Sequence, residues 1–250
     1  MLNVVRQSGY LPSMPVLEKP RESEAASWWW AGLWLFSIYI SIPLARTVQQ
    51  VVDGAGLRAA FLWITFLFFF LGSGWVIKAL MRREIILTPV RGLILVAILG
   101  TFSSLTWSLR TNPEEAFHFV QYGVLGILIF RALSHRLTDP SIYLAAAAIG
   151  SIGGILDEMI QWITPRRYFD YRDIGINALA GTLIQTALAF GIKPARIRGT
   201  FNPAGLRIFL KATAICMSLL LVCLINTPRI KHAYTRFLPV MQQVPGATAG

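Results

Sequence analysis

Residues 142–163 read IYLAAAAIGSIGGILDEMIQWI, and this run decides the fold class because only Asp157 and Glu158 in it are charged. An α-helix rises about 1.5 Å per residue and the hydrocarbon core of a bilayer is about 30 Å thick, so roughly twenty mainly apolar residues cross it. The apolar residues are continuous, whereas strands of a membrane barrel alternate between lipid-facing and lumen-facing residues. The run therefore predicts a transmembrane helix.

Apolar runs of similar length recur along the chain of 250 residues, which is 55% hydrophobic and 14% charged with a mean hydropathy of +0.57. This composition is typical of a membrane protein rather than a soluble domain. We predict an all-α, polytopic transmembrane helical bundle with about seven spans. The predicted spans are residues 28–45, 59–77, 90–107, 116–133, 142–163, 173–192 and 206–226.

The spans divide the chain into five expected parts. Residues 1–27 are polar and hold Pro12, Pro15 and Pro20 without the apolar core of a signal peptide, so we expect a flexible N-terminal segment. The remaining parts are two accessory transmembrane helices (28–80), a central transmembrane domain (84–192), a C-terminal transmembrane helix (206–226) and a flexible tail (227–250).

The net charge of +11 comes from Lys and Arg residues that flank the spans, which is the pattern of a membrane protein and not of a nucleic-acid-binding one. If the seven predicted spans alternate in direction, fourteen of the 23 Lys and Arg residues lie on the same side of the membrane as the N-terminus. We therefore expect a multi-pass protein of the cytoplasmic (inner) membrane with a cytoplasmic N-terminus. Trp28, Trp29 and Trp30 suit an interfacial aromatic belt.

Polar side chains of three spans converge if consecutive spans alternate in direction. His118 opens the fourth span, and Glu158 and Gln161 close the fifth. Asp173 and Asn177 open the sixth. Alternation alone brings these residues to one membrane boundary, whichever way the protein is inserted, so we expect them to share a pocket.

The fifth and sixth spans are predicted to be antiparallel neighbours because only residues 164–172 connect them. Spacings of three and four residues place polar and small residues on one face of each helix. Glycines on such a face let two helices approach closely in lipid. The faces are Gly150, Gly154, Glu158 and Gln161 in the fifth span, and Asp173, Asn177, Gly181 and Gln185 in the sixth.

Ionisable groups in a membrane need partners, so Glu158 and Asp173 are expected to pair with Arg166 or Arg167 of the connecting segment. His118 and Tyr122, one turn apart on the fourth span, are expected to complete the ring.

The remaining acids near this boundary have weaker predicted roles. Asp157 points about 100° away from Glu158, so we expect it to face water or another span. Asp170 is a candidate N-cap of the sixth helix, and Asp173 is the alternative cap.

Two interpretations of this polar cluster stay open, a structural clasp that holds three spans together and a ligand or catalytic site. A metal site of His118, Glu158 and Asp173 would draw three ligands from three helices without paired-His spacing. We therefore predict no metal and no cofactor.

The residues of the fourth to sixth spans resemble those of the VanZ-like membrane family. That family has a His-bearing span, then Glu-x-x-Gln, an Arg, an Asp and Asn-x-x-x-Gly. The matching residues are His118, Tyr122, Gly126, Glu158, Gln161, Arg166 or Arg167, Asp170, Asp173, Asn177 and Gly181, and the resemblance extends over residues 91–192.

The chain departs from the family pattern in two places. The family's Asp-Lys before its His is absent, since residues 113–118 read PEEAFH. Its Pro-Gly-Arg is Pro165-Arg166-Arg167 here, so either Arg is a candidate. The resemblance implies a four-helix membrane core and an association with teicoplanin resistance or with surface-polysaccharide loci in bacteria.

Two functions fit these residues. In the first, Arg166, Arg167 and Arg172 bind an anionic lipid or lipid-linked envelope precursor at the outer boundary. In the second, a membrane enzyme acts on a lipid-linked phosphorylated substrate. There Glu158 or His118 would be the acid or base, and Asp173 and Asn177 would orient the substrate. A transporter is disfavoured because no inverted repeat is visible.

Overall fold

The computed structural model describes residues 22–57, 88–111, 113–164 and 169–227, with scattered positions between 59 and 74. The regular structure of this part of the chain is helical, with no strand. The main helices are α1 (Glu24–Gly54), α2 (Pro89–Ser108), α3 (Pro113–Leu133), α4 (Ser141–Ile163), α5 (Tyr171–Thr186) and α6 (Pro203–Cys223). A π-helical turn, Ala187–Ile192, continues α5, and short 3-10 turns follow α2 and α6.

Each of these helices, with the π turn added to α5, is long and apolar enough to cross a membrane by length and composition. The all-α, polytopic helical fold is thereby confirmed. Helices α1 to α6 correspond to the first and the third to seventh predicted spans. The second predicted span (59–77) lies mostly outside the described residues, so the described part of the chain contains six candidate spans.

Helix ends differ from the predicted ones mainly in α1, which begins at Glu24 and continues to Gly54. Prediction by apolar length stops at the end of the apolar run, whereas a helix continues into water as long as its backbone hydrogen bonds persist. Most of the expected N-terminal segment (1–27) and of the expected tail (227–250) lies outside the described residues, which begin at 22 and end at 227.

Helix α3 occupies the centre of the bundle. It packs against α1, α4 and α5, while α6 packs on the far side of α4. Of the α3 span 61% is buried, compared with 11% of α2 and 17% of α6. The core is formed by side chains such as Phe119, Tyr122 and Leu125 of α3. Apolar side chains of α2 and α6 consequently face outward, as expected of helices in contact with lipid.

Small residues allow the closest helix contacts. A Cβ atom added to Gly126 of α3 would lie 3.5 Å from the Cα of Gly181 in α5. A Cβ on Gly205 of α6 would clash with Oγ of Ser141 in α4. Helices α3 and α5, and likewise α4 and α6, therefore approach one another closely.

A buried acid ties together the loops at the end of the bundle where α4 and α6 begin. Asp139 Oδ1 accepts hydrogen bonds from the Ser141 hydroxyl (2.5 Å), the Ser141 amide (3.0 Å) and the Asn202 amide (3.1 Å). Burial alone would raise the pKa of Asp139, but these donors outweigh it and hold the pKa below its usual value. The two parallel helices α4 and α6 thus start from one fixed point.

Candidate functional site

Two adjacent acids near the end of α4 form the centre of the polar cluster. Asp157 and Glu158 are both fully buried, at 0% exposure. Consecutive residues of a helix point about 100° apart, so the two carboxylates face different neighbours. Asp157 is directed towards α3 and α1, and Glu158 towards the segment that leads into α5.

Both oxygens of the Glu158 carboxylate accept hydrogen bonds. Gln161 Nε2 donates to Oε1 at 2.7 Å, and the backbone N–H of Asp170 donates to Oε2 at 2.9 Å. Asp170 is in turn the N-cap of α5, since its side chain accepts from the N–H of Arg172 at 2.8 Å. The expected cap at Asp170 is confirmed, and Asp173 lies within the first turn instead. Glu158 therefore positions the start of α5.

The expected arginine partners of Glu158 cannot be placed, because Arg166 and Arg167 lie outside the described residues. Within the described part of the chain, no Lys or Arg forms an ion pair with Glu158. The carboxylates of Asp157, Asp170 and Asp173 instead lie near enough to act on it electrostatically. Glu158 thus belongs to an acid-rich cluster in which neutral donors provide the hydrogen bonds.

His118 and Tyr122 lie beside Asp157, the acid next to Glu158. His118 Nδ1 is 3.9 Å from Asp157 Oδ2, which is ion-pair distance but too long for a hydrogen bond. The Tyr122 hydroxyl donates to the backbone oxygen of Gly153 at 3.2 Å, and Tyr39 of α1 donates to the same oxygen at 2.9 Å. The ring expected around Glu158 stays a prediction, and the structure adds that α3 presents both side chains to the neighbouring acid, Asp157.

Sequence reasoning missed Tyr39, and of the two orientations predicted for Asp157, towards water or towards another span, the structure confirms the second. Asp157 does not face water; it is buried against other helices. Both tyrosine hydroxyls interact electrostatically with its carboxylate. The sequence did contain a signal for this orientation. An acid that faces lipid inside a span is energetically costly, so acids in spans normally face other helices.

Asn177 lies at a close contact between α4 and α5. Asn177 is buried (3% exposed), and a Cβ atom added to Gly154 of α4 would lie 2.9 Å from the Cβ atom of Asn177. About two turns further along α5 than Asn177, Gln185 donates from Nε2 to the backbone oxygen of Gly126 in α3 at 2.8 Å. The polar face of α5 therefore packs inside the bundle against both neighbours.

Arg172 lies at the rim of the cluster. Its Nη2 atom is 2.8 Å from Oε2 of Glu115 at the start of α3, and its side chain remains 56% exposed. This ion pair joins the beginnings of α3 and α5 at one end of the bundle. The residues that the structure describes contain no group of three or more His, Cys, Asp or Glu side chains arranged to hold a metal ion.

A family model described as VanZ/LLP1 matches residues 57–192, which is more than half of the chain. The chain belongs to the VanZ/LLP1 family. The part of this VanZ/LLP1 protein that matches contains α2 to α5 and the whole polar cluster except Tyr39. It begins before residue 91 and takes in the second predicted span as well.

No match was found among curated proteins, and none among solved structures. Family membership together with the six apolar helices identifies a VanZ-like membrane protein.

Proposed function

We propose that this protein binds a phosphate-bearing amphiphile of the bacterial cell envelope at the membrane boundary where α3 and α5 begin. The observation that carries the proposal is the double hydrogen bonding of Glu158, whose two oxygens hold Gln161 and the N–H of Asp170. The buried carboxylate thereby holds the backbone two residues before Arg172, in the segment 164–172 whose sequence also carries Arg166 and Arg167. Arg172 is held in place by its ion pair with Glu115, and an arginine that is positioned before binding loses less entropy on binding phosphate than a free one.

The residue chemistry supports an anionic ligand. Guanidinium groups bind phosphate oxygens in a bidentate manner that an ammonium group does not reproduce. Arg172 keeps more than half of its side chain exposed while paired with Glu115, so it retains donors that a ligand can reach. In this proposal Gln161, Asp170 and Asn177 are positioning residues that keep the segment and α5 in place.

The charge distribution and the family support a proposed cellular setting. We propose that the protein lies in the cytoplasmic membrane with its N-terminus inside, so that segment 164–172 with its three arginines faces outward. A ligand bound there would be an anionic lipid or a lipid-linked precursor of the cell surface. Its sequestration would change teicoplanin susceptibility or surface-polysaccharide assembly, the two settings that the family resemblance implies.

Binding is tested with purified protein and two probes, polyprenyl phosphate and the same polyprenyl alcohol without phosphate. We expect the phosphate to bind more tightly, and Arg172→Gln to weaken it by about tenfold, since a hydrogen bond to a charged group contributes about 1.5–3 kcal/mol. Arg110→Gln is the matched control because Arg110 is exposed at the end of α2, where it stacks over Trp107. Equal binding of both probes would refute the proposal.

The conservative variants Arg166→Lys and Arg167→Lys separate charge from geometry. Lysine keeps the positive charge but lacks the planar fork, so bidentate recognition predicts a loss in at least one of them. Unchanged affinity in both would rule out a guanidinium clamp at these positions.

A second candidate, a membrane enzyme acting on a lipid-linked phosphorylated substrate, is favoured by the placement of His118 beside Asp157. A carboxylate next to an imidazole orients it and stabilises its charged form, which suits an acid or base. In the reaction, water would attack the terminal phosphorus atom of a polyprenyl diphosphate and give up a proton to His118. The P–O–P bond would break, with polyprenyl phosphate as the leaving group and inorganic phosphate as the second product. It is tested by incubating polyprenyl diphosphate with the protein and measuring inorganic phosphate. Release that His118→Gln abolishes supports turnover, and no release supports binding alone.

A further inference from the structure

A small cavity lies between α1 and α3 at the opposite end of the bundle from the Glu158 cluster. Its volume is about 230 Å³, and it is lined by Glu22, Ser27, Trp30, Leu128 and Arg131. One wall is therefore apolar, and the other carries one acid, one base and one hydroxyl group. No part of the function proposed above involves these residues.

The polar wall is held together by a short chain of contacts. Arg131 Nη2 is 2.5 Å from Oε2 of Glu22, and the Ser27 hydroxyl donates to Oε1 of the same carboxylate at 3.1 Å. The Ser27 hydroxyl also lies 2.9 Å from Nε2 of His135. The acid and the base are thus presented side by side in a fixed arrangement.

The position of the cavity corresponds to the headgroup layer of a bilayer. It lies at the first turn of α1 and the last turn of α3, both helices that are long and apolar enough to cross the membrane. The tryptophans at this level are exposed, with Trp29 at 77% and Trp30 at 60%. Exposed tryptophans concentrate where hydrocarbon meets headgroups. A ligand in the cavity would therefore have its polar part beside Glu22 and Arg131 and its apolar part against Trp30 and Leu128.

We propose that this cavity binds the headgroup of a zwitterionic phospholipid, with its phosphate on Arg131 and its ammonium group on Glu22. One cation and one anion match a headgroup that carries both charges. A purely anionic headgroup would meet the repulsion of the Glu22 carboxylate.

The existing ion pair does not prevent such binding. The side chains of Arg131 and Glu22 remain 33% and 23% exposed. Partly exposed ion pairs contribute little to stability, so replacing their mutual contact with contacts to the lipid costs little. The guanidinium has five N–H donors, and the contact with Glu22 leaves others for a phosphate oxygen.

A neighbouring ion pair provides a matched control. Arg136 and Glu24 are 2.6 Å apart, with the Arg136 side chain 74% exposed, and neither residue lines the cavity. Arg136→Gln therefore removes the same charge from the same end of the bundle without changing the proposed site.

The test is native mass spectrometry of the full chain with phosphatidylethanolamine or phosphatidylglycerol of identical acyl chains. We expect phosphatidylethanolamine to be retained preferentially on the unmodified protein. Arg131→Gln should reduce this retention about tenfold, and Arg136→Gln should leave it unchanged. Glu22→Gln should remove the preference for phosphatidylethanolamine over phosphatidylglycerol.

A cavity-filling variant keeps the test valid if loss of the ion pair prevents folding. Leu128→Trp leaves both charges in place and occupies the cavity, so it should also abolish retention of phosphatidylethanolamine. Preferential retention of phosphatidylglycerol would show an anionic-lipid site and overturn the proposal. Equal losses in Arg131→Gln and Arg136→Gln, or full retention in Leu128→Trp, would overturn it as well.

Discussion

Replacement of Gly154 by alanine is the perturbation that most sharply probes how α4 and α5 meet. The added Cβ would lie 2.9 Å from the Cβ of Asn177 and 3.7 Å from Cε1 of Tyr122. Carbon atoms in contact normally lie about 3.5–4.0 Å apart, so the first distance requires the two helices to move apart by several tenths of an ångström. The backbone of α5 carries the Asn177 Cβ, and no side-chain rotation relieves the clash.

Overpacking and helix propensity together determine how much each glycine-to-alanine variant changes the free energy of unfolding. Forcing an extra methyl group into a packed interior costs about 1–3 kcal/mol, while glycine to alanine in a helix gains at most about 1 kcal/mol. Gly150→Ala receives the same gain, but its Cβ would lie 3.8 Å from Cδ1 of Ile129, an ordinary contact. The difference between the two variants therefore isolates overpacking at about 1–3 kcal/mol.

The assay is thermal unfolding of both variants in the same detergent, followed by tryptophan fluorescence. We expect Gly150→Ala to unfold at or slightly above the temperature of the unmodified protein. Gly154→Ala should unfold several degrees lower than Gly150→Ala, given about 2–4 °C per kcal/mol for a chain of this size. Equal unfolding temperatures would refute the contact between α4 and α5 described here.

Two further predictions concern single contacts. Tyr171→Phe removes the hydrogen bond of the hydroxyl to the backbone oxygen of Cys223 at 2.6 Å, so it should lower the free energy of unfolding by about 1 kcal/mol. Tyr143→Phe, whose hydroxyl has no hydrogen bond among the described residues, should have a smaller effect, and the reverse order would contradict the contact. The hydrogen bond from Arg131 lowers the pKa of Glu22, so its stabilisation is present at neutral pH and is lost as the pH falls through that lowered value. The difference in free energy of unfolding between the unmodified protein and Glu22→Gln should therefore be constant from pH 6 to 8. It should shrink as the pH falls below the ordinary Glu pKa of about 4.3. A difference that stays constant at low pH would exclude the ion pair.

The apolar runs were sufficient to predict the helical membrane fold, because the bilayer constrains both the length and the composition of a span. The cap at Asp170 was predictable for a similar reason, since an acid before an apolar helix has one common local role. Helix periodicity also placed Glu158 and Gln161 on one face, where they form a hydrogen bond. These are properties of single helices.

The contacts of Asp157 were beyond the reach of the same reasoning. Periodicity gives the angle between Asp157 and Glu158, but it does not say how many helices surround α4. Since α1, α3, α5 and α6 all pack on α4, both acids are enclosed. Tyr39 was missed for the same reason, because its helix joins the cluster only through tertiary packing against Gly153.

In the proposed function, Glu158 holds a ligand-binding segment at the end of the bundle where α3 and α5 begin. Hydrogen exchange of the full protein with polyprenyl phosphate, compared with polyprenyl alcohol, tests it directly. We expect the phosphate to slow exchange of backbone amides in residues 164–172, around the hydrogen-bonded N–H of Asp170, and to leave residues 131–139 at the opposite end unchanged. Protection confined to residues 131–139, or no protection by the phosphate beyond that of the alcohol, would contradict the claim.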